Sequence, residues 1–132
     1  MAVVVDTSAL AAVVFGETDA RAYASVLAAH AGDVSVSAAT VVEARIVVRS
    51  RQGSEAARDL DVLLTRISAQ IVAVDEEQAD LAVAAWQRFG KGRHEAGLNF
   101  GDCFAYALSR HLGVPLLYKG DDFARTDVAS AL

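Results

Sequence analysis

The sequence AVVVDTSALAAVVFG, residues 2–16, predicts a strand that leads directly into a helix. Its opening AVVV is apolar and rich in β-branched side chains, which is typical of a short strand buried on both faces. Asp6, Thr7 and Ser8 follow with side chains suited to capping a helix, and the apolar run after them continues to Gly16. The stretch therefore predicts a strand–helix unit of an α/β protein, with Asp6 at the carboxyl end of the strand.

The same alternation of strands and helices continues along the chain. Apolar segments at residues 34–36, 70–74 and 114–118 predict three further strands, and segments with helical spacing separate them. We therefore expect a three-layer α/β/α fold, with a mainly parallel sheet of four to five strands covered on both faces. No linker or repeat interrupts this order, so residues 1–132 are expected to form one domain. The later predicted helices cover residues 18–30, 39–51, 55–68, 76–89 and 102–112.

The composition is that of a folded, acidic protein. Hydrophobic residues make up 54% and charged residues 22% of the 132 positions, which excludes a disordered chain. The formal net charge is −5, which argues against a protein that binds nucleic acid through an overall positive charge. The charge is compatible with an enzyme whose acidic residues bind cations that then meet phosphate groups.

Three features of the sequence favour a cytoplasmic location. Cys103 is the only cysteine, so no disulfide can form within the chain. The apolar N-terminus lacks a basic region and is interrupted by Asp6, which argues against a signal peptide. No uninterrupted apolar run reaches the roughly 18 residues of a membrane span, so no membrane association is expected.

Acidic residues fall where the predicted sheet would form a site. Asp6 ends the first strand, and in open parallel sheets ligands bind beyond the carboxyl ends of the strands. Asp121 and Asp122 follow the fourth strand and leave the sheet at the same edge, where Asp102 could arrive from the first turn of a helix. Each of these acids also has a purely structural interpretation. Asp6 could cap the helix, Asp102 could interact favourably with the helix dipole, and Asp121 and Asp122 could be turn residues.

Glu43 is the most informative acidic residue, because apolar residues flank it in AATVVEARIVV. A lone carboxylate on such a helix is costly to bury unless it is paired or bound to a cation. The alternative is a narrow polar stripe that faces solvent with Thr40 and Arg51. Several carboxylates at one sheet edge, without His or Cys, suit a hard cation such as Mg²⁺ or Mn²⁺. Phosphodiester hydrolysis by a metal-activated water is the chemistry that best matches such a site.

Four segments of the sequence together resemble one known family. VVVDTSAL, VVEAR, LNFGDCFAYALSR and PLLYKGDDF are similar, in order and spacing, to PIN-domain ribonucleases of the VapC toxin type. The resemblance covers essentially the whole chain and implies a PIN-like form of the α/β/α fold. It also implies the toxin of a type II toxin–antitoxin pair, a homodimer that cleaves RNA with Mg²⁺ or Mn²⁺ and is inhibited by a VapB-type antitoxin.

The resemblance assigns catalytic, metal-binding roles to Asp6, Glu43 and Asp102. A fourth acid is open, because many relatives carry it at the position of Gly120 in this sequence. Either Asp121 or Asp122 takes that role through a small loop shift, or the site works with three acids. The resemblance also implies supporting roles for Thr7, Ser8 and Asn99.

Basic residues are few, and two groups of them lie near the predicted acidic site. One group closely follows Glu43 and the other precedes the helix of Asp102, so both could border the acidic edge and attract RNA or an antitoxin tail. For any single residue the alternative is ordinary solvated surface. The residues predicted to form this rim are Arg45, Arg49, Lys91 and Arg93.

Other classes of protein share this outline. A phospho-accepting receiver module has paired acids around its first strand and a lysine after a later strand, a position that Lys119 imitates. Here the first strand offers Asp6 alone and Glu43 lies within a helix, so this class is disfavoured. A haloacid-dehalogenase-like phosphatase needs an Asp where this chain has Ser8. A non-catalytic binding domain, in which the carboxylates are structural, is the remaining alternative.

Overall fold

The central sheet has four parallel strands, which are β1 (Val3–Val5), β2 (Val34–Ser37), β3 (Gln70–Val72) and β4 (Leu116–Leu117). The structure is a computed structural model that describes residues 2–132. The strands lie in the order β3–β2–β1–β4, so β1 is an inner strand. Val4 of β1 pairs with Ser35 on one side and with Leu116 on the other. The chain therefore leaves β1 at Asp6 in the middle of the carboxyl edge of the sheet.

In the described part of the chain, five α-helices surround the sheet: α1 (Thr7–Phe15), α2 (Ala20–Ala29), α3 (Ala38–Arg66), α4 (Glu76–Phe89) and α5 (Phe100–Leu112). Most begin at a polar side chain that accepts a hydrogen bond from the first turn, as helix caps do. Asp6 caps α1 in this way, Ser37 caps α3, Asp75 caps α4 and Asn99 caps α5. A short 3-10 helix, Phe123–Arg125, follows β4.

The two faces of the sheet are covered by different helices. Val3 and Val5 point to one face and pack in a core with residues of α1, α2 and α3, among them Leu10 and Leu60. Val4 points to the other face and packs with residues of α4 and α5. This alternation along β1 builds a three-layer α/β/α arrangement, which confirms the predicted fold class.

Two predicted strands are shorter in the structure than in the sequence pattern. The segment 70–74 contributes only β3, an exposed edge strand, and the segment 114–118 contributes only β4. β4 ends because the N–H group of Lys119 donates to the side chain of Ser8. The predicted break at Gly53 is confirmed: the backbone there is non-helical, with φ +82° and ψ −166°, so α3 consists of two helical segments that meet at a kink. Within residues 2–132, no helix is both long and apolar enough to cross a membrane.

Candidate active site

A polar pocket of about 360 Å³ opens at the carboxyl edge of the sheet, where β1 ends. We call it the carboxylate pocket, because three of the predicted acids line it. Asp6 enters from the end of β1, Glu43 from α3 and Asp102 from the first turn of α5. The structure thus brings together acids that are 37 to 96 positions apart in sequence; the other lining residues are Thr7, Ser8, Ala11, Glu17, Val47, Arg51, Asn99 and Lys119.

Asp6 is a helix cap and also a buried acid at the floor of the pocket. Only 2% of its surface is exposed. Its Oδ2 accepts hydrogen bonds from the N–H of Ser8 at 3.0 Å and from the Ser8 hydroxyl at 2.7 Å. Its Oδ1 is buried without a hydrogen-bond partner among the described residues. Burial raises the pKa of Asp6 to about 6, against the Ser8 hydrogen bonds and with a contribution from the negative charge of Glu43.

Ser8 connects Asp6 to the end of β4. Its hydroxyl donates to Asp6 and accepts the N–H of Lys119 at 2.9 Å. The hydroxyl hydrogen is therefore directed at the carboxylate, because the backbone N–H of Lys119 can only donate. This arrangement fixes Oδ2 of Asp6, while Oδ1 has no hydrogen-bond donor among the described residues.

Glu43 is held from two sides. The hydroxyl of Thr7 donates to Oε1 of Glu43 across 2.5 Å. Oε2 lies against the backbone of Gly101, where a Cβ would be only 1.8 Å away. The carboxylate therefore lies between the first turn of α1 and the first turn of α5, and it does not extend into solvent as the polar-stripe alternative required.

Asp102 is fixed by a reciprocal pair of hydrogen bonds with Asn99. The Asn99 side chain accepts from the N–H of Asp102 at 2.9 Å, and Oδ2 of Asp102 accepts from the N–H of Asn99 at 3.0 Å. This capping box satisfies two N–H groups of α5 and orients the acid. Burial raises the pKa of Asp102 to about 7, and the charges of Asp6 and Glu43 add to the effect.

The donor set of the carboxylate pocket fits a hard divalent cation. It offers the carboxylates of Asp6, Glu43 and Asp102, besides that of Glu17, which is paired with Lys119, and no competing His or Cys. Oδ1 of Asp6 is buried without a hydrogen-bond partner among the described residues. Burial is the main cause of the raised pKa values of Asp6 and Asp102, and the charges of neighbouring acids add to it. A bound cation would offset both effects. Within residues 2–132, no three His, Cys, Asp or Glu side chains stand as a ready-made metal cluster. Binding would therefore require side-chain movement.

Some predicted site residues lie outside the pocket. Asp121 and Asp122 are exposed and do not line it, although the charge of Asp122 contributes to the raised pKa of Asp102. Arg45 forms an ion pair with Asp61 at 3.1 Å, and Arg49 is exposed and absent from the lining. Lys91 and Arg93 lie instead beside a groove between α4 and α5.

Lys119 is a pocket residue that the sequence argument did not assign to the site. Its ammonium group contacts the carboxylates of Glu17 and Asp19, with the Asp19 oxygen at 2.9 Å. These contacts raise the pKa of Lys119 above its ordinary value. The available signal was its place two residues after β4, the strand that pairs with β1. Arg51 also lines the pocket, and its guanidinium lies 5.5 Å from the ring centre of Phe15.

Comparison with known proteins gives concordant results. Residues 3–129 match the PIN domain family. The chain is 49% identical to "Ribonuclease VapC" of Mycolicibacterium smegmatis over 127 residues, which cover 96% of this chain and 98% of that protein. It is 47% identical to "Ribonuclease VapC30" of Mycobacterium tuberculosis over 128 residues, 96% of each chain.

Two solved structures share the fold. The first is VapC20 of Mycobacterium tuberculosis, described as a sarcin–ricin loop cleaving toxin, with a TM-score of 0.80, 19% identity and 97% coverage of both chains. The second is VapBC2 of Rickettsia felis bound to a DNA fragment from its promoter, with a TM-score of 0.71 and 14% identity, covering 98% of this chain and 96% of that one. At these identities the likeness shows the fold alone.

Proposed function

The chain belongs to the PIN domain family, among the VapC ribonucleases, and from this premise we propose that it is a divalent-metal-dependent endoribonuclease, the toxin of a toxin–antitoxin pair. One observation carries the proposal. Asp6 is buried at the end of β1 with Oδ1 unpartnered, and it faces Glu43 and Asp102 across the same pocket. A structural role for these acids would leave the burial of unpaired negative charge unexplained.

Asp6, Glu43 and Asp102 would hold Mg²⁺ or Mn²⁺. The bound ion supplies water activation and charge neutralisation at the phosphate. Ser8 orients Asp6, Thr7 orients Glu43, and Asn99 orients Asp102, so each acid has a partner that limits its rotation. Such outer contacts orient metal ligands and tune their affinity for the ion.

Two further assignments extend the proposed site. Arg51 lines the pocket and supplies a cation for an RNA phosphate near the acids. For the fourth acid we favour Asp122 over Asp121, because Asp122 is the one whose charge acts on Asp102. The loop after β4 would have to move for Asp122 to reach an ion, since its side chain is exposed and outside the pocket.

The proposed partners are RNA as substrate, a second copy of the chain and a VapB-type antitoxin, in the cytoplasm where RNA is present. Support comes from the relatives named ribonuclease VapC and from the VapBC2 protein that shares the fold. An acidic protein needs local positive charge to approach RNA, and Arg51 supplies it within the pocket lining, whereas the charge of Lys119 is compensated by Glu17 and Asp19.

The test uses the purified chain without a partner, stripped of metal with EDTA. We expect Mg²⁺ or Mn²⁺ to raise its melting temperature and to switch on cleavage of structured RNA. Asp6→Asn and Asp102→Asn should lose both responses, whereas Asp59→Asn, an exposed acid on α3, should keep both. Cleavage that persists in EDTA, or that both pocket variants retain, would overturn the assignment.

A further inference from the structure

The carboxylate pocket continues from its acids along two helices that lie side by side. α1 and α3 both begin at the carboxyl edge of the sheet, after the neighbouring parallel strands β1 and β2. At their first turns the Thr7 hydroxyl donates to Glu43. Eight residues later on both helices, the guanidinium of Arg51 lies 5.5 Å from the ring centre of Phe15. The two helices therefore run in the same direction and stay in register along the pocket.

The part of the pocket between these two contacts is lined by small apolar side chains. Ala11 of α1 is buried and Val47 of α3 is partly buried, and both line the pocket. Val47 lies four residues after Glu43 and four before Arg51, so the three side chains share one face of α3. We call Ala11, Val47 and Arg51 the α1–α3 wall of the carboxylate pocket.

Arg51 lies too far from Glu43 for both to act on one phosphate. Eight residues of α-helix span about 12 Å. A divalent ion contacts oxygen at about 2 Å and a guanidinium contacts a phosphate oxygen at about 3 Å, so one phosphate does not reach both. The Phe15 ring also favours a guanidinium position at the distant end of the wall. A phosphate bound by Arg51 is therefore a neighbour of the phosphate that meets the ion.

The charge of Arg51 is available for an anion. Among residues 2–132, its guanidinium forms no ion pair with a carboxylate. Lys119, the other cation of the pocket lining in this part of the chain, is compensated by Glu17 and Asp19. The positive end of the pocket therefore lies at Arg51, and the acids lie at the opposite end.

We propose that the α1–α3 wall holds the nucleotide next to the cleaved bond. Arg51 binds the phosphate adjacent to the scissile one, and the nucleoside between the two phosphates lies over Ala11 and Val47. The proposal rests on the proposed function and defines its substrate as a strand that extends beyond the cleaved bond. Because the phosphate at Arg51 does not react, its contact stabilises the bound substrate and the transition state equally. Loss of this contact should raise KM and leave kcat unchanged.

The test removes the charge of one RNA phosphate at a time. The cleaved bond is first mapped on wild-type protein with Mn²⁺, and a single strand of about 10 nucleotides around it is synthesised. Each phosphate in turn is replaced by an uncharged methylphosphonate. For wild type, one position next to the cleaved bond should raise KM about five- to twentyfold, the scale of a partly exposed charge-assisted hydrogen bond. For Arg51→Ala, the unmodified strand should show that same rise, and the methylphosphonate there should add nothing.

Matched substitutions on α3 provide the controls. Arg49→Ala removes an exposed arginine that does not line the pocket, and it should keep the wild-type profile. Val47→Glu puts a negative charge on the wall and should raise KM at saturating Mn²⁺. Val42→Glu adds the same charge at an exposed position outside the pocket and should not. Thermal melts of all four variants check that they are folded.

The outcomes separate the wall assignment from the proposed function. If wild type cleaves RNA but Arg51→Ala and wild type respond alike to every methylphosphonate, the wall assignment alone is wrong. A fall of kcat in Arg51→Ala with KM unchanged would also overturn it, since Arg51 would then act on the reacting phosphate. If wild type cleaves no RNA with Mg²⁺ or Mn²⁺, the proposed function fails, and the wall assignment fails with it.

Discussion

Gly101 of α5 and Glu43 of α3 are in contact at a point where a Cβ would lie 1.8 Å from Oε2 of Glu43. On the opposite side, Thr7 holds Oε1 of the same carboxylate at 2.5 Å. The position of Glu43 is therefore set by the absence of a side chain at Gly101 and by the hydrogen bond from the Thr7 hydroxyl. Neither contact involves a charged partner, so the acid keeps its negative charge available for an ion.

Gly101→Ala should impair the site without unfolding the protein. The added methyl group displaces the flexible end of Glu43, so we expect RNA cleavage to fall about ten- to a hundredfold, the usual effect of disturbing a ligand's support. Stability should rise by less than about 1 kcal/mol, because alanine is the better helix residue but Gly101 lies in the first turn and the displaced Glu43 loses its hydrogen bond from Thr7. Cleavage rates and thermal melts of the same preparation measure the two effects.

A double-mutant cycle provides the control for this prediction. In the Glu43→Ala background, Gly101→Ala should cause no additional loss of cleavage, because the displaced group is already absent. It should still stabilise α5. A further loss of activity in that background would mean that Gly101 acts on the site through something other than Glu43.

The structure explains why some of the site followed from the sequence and some did not. Asp6 at the end of β1 and the Asn99 cap of Asp102 are local features, fixed by a few neighbouring residues. Arg45 pairs with Asp61, which lies 16 positions away and beyond the kink at Gly53, so its placement depends on how the two segments of α3 pack together. Lys119 joins the pocket through contacts with the distant Glu17 and Asp19, and its place after β4 was the one signal for it in the sequence.

The lengths of the strands were the least predictable part of the fold, because they depend on contacts with residues that are distant in sequence. An apolar pattern predicts where a strand can form, but the pairing partner decides how far it continues. β4 covers Leu116–Leu117, and the backbone N–H of Lys119 donates to a serine hydroxyl instead of to β1. The Ser8 hydroxyl therefore has two effects: it accepts the N–H of Lys119 where β4 ends, and it orients the carboxylate of Asp6.

Ser8→Ala should reduce both stability and metal binding. It leaves the N–H of Lys119 without its acceptor and removes a donor from Asp6. We expect a loss of about 1–3 kcal/mol in the free energy of unfolding, as for other buried groups left unpaired. The affinity for Mn²⁺, measured by titration calorimetry, should fall about tenfold or more. Ser50→Ala, at an exposed position on α3, is the matched control and should alter neither quantity.

Asp6→Asn should stabilise the metal-free protein while abolishing cleavage. In the folded chain burial raises the pKa of Asp6 to about 6, above its value of about 4 in the unfolded chain. Ionisation therefore opposes folding above pH 6, and the penalty disappears below pH 4, where both states are protonated. Asparagine also caps helices well. In EDTA at pH 7.5 we expect a gain of about 1–3 kcal/mol that vanishes near pH 4.

The contrast with metal-loaded protein checks the cause of that gain. Saturating Mn²⁺ should stabilise the wild-type chain and leave Asp6→Asn almost unchanged, so the order of the two melting temperatures should approach equality or reverse. Asp59→Asn should behave as wild type in both conditions. If Asp6→Asn is less stable than wild type in EDTA at pH 7.5, the acid serves mainly as a structural cap.

Asp127 should make the fold sensitive to acid at a point away from the carboxylate pocket. The Tyr106 hydroxyl donates to its Oδ1 at 2.6 Å, and Arg88 and Arg110 lie 3.2 and 3.8 Å from its Oδ2. Burial alone would raise the pKa of Asp127, but the hydroxyl and the two guanidinium groups outweigh it and lower that pKa. These contacts tie the C-terminal segment to α4 and α5.

Because the pKa of Asp127 is lower in the folded chain, its stabilising effect is fully present above about pH 4 and is lost as pH falls through the folded-state value. Asp127→Asn should therefore cost about 1 kcal/mol at pH 7, a value reduced by the partial exposure of the two ion pairs. The cost should shrink towards pH 3, where wild type is protonated too. Urea unfolding at both pH values measures this difference. Asp121→Asn, at an exposed acid in the loop after β4, is the matched control and should cost little stability. An equal cost of Asp127→Asn at pH 3 and pH 7 would assign the effect to packing instead of charge.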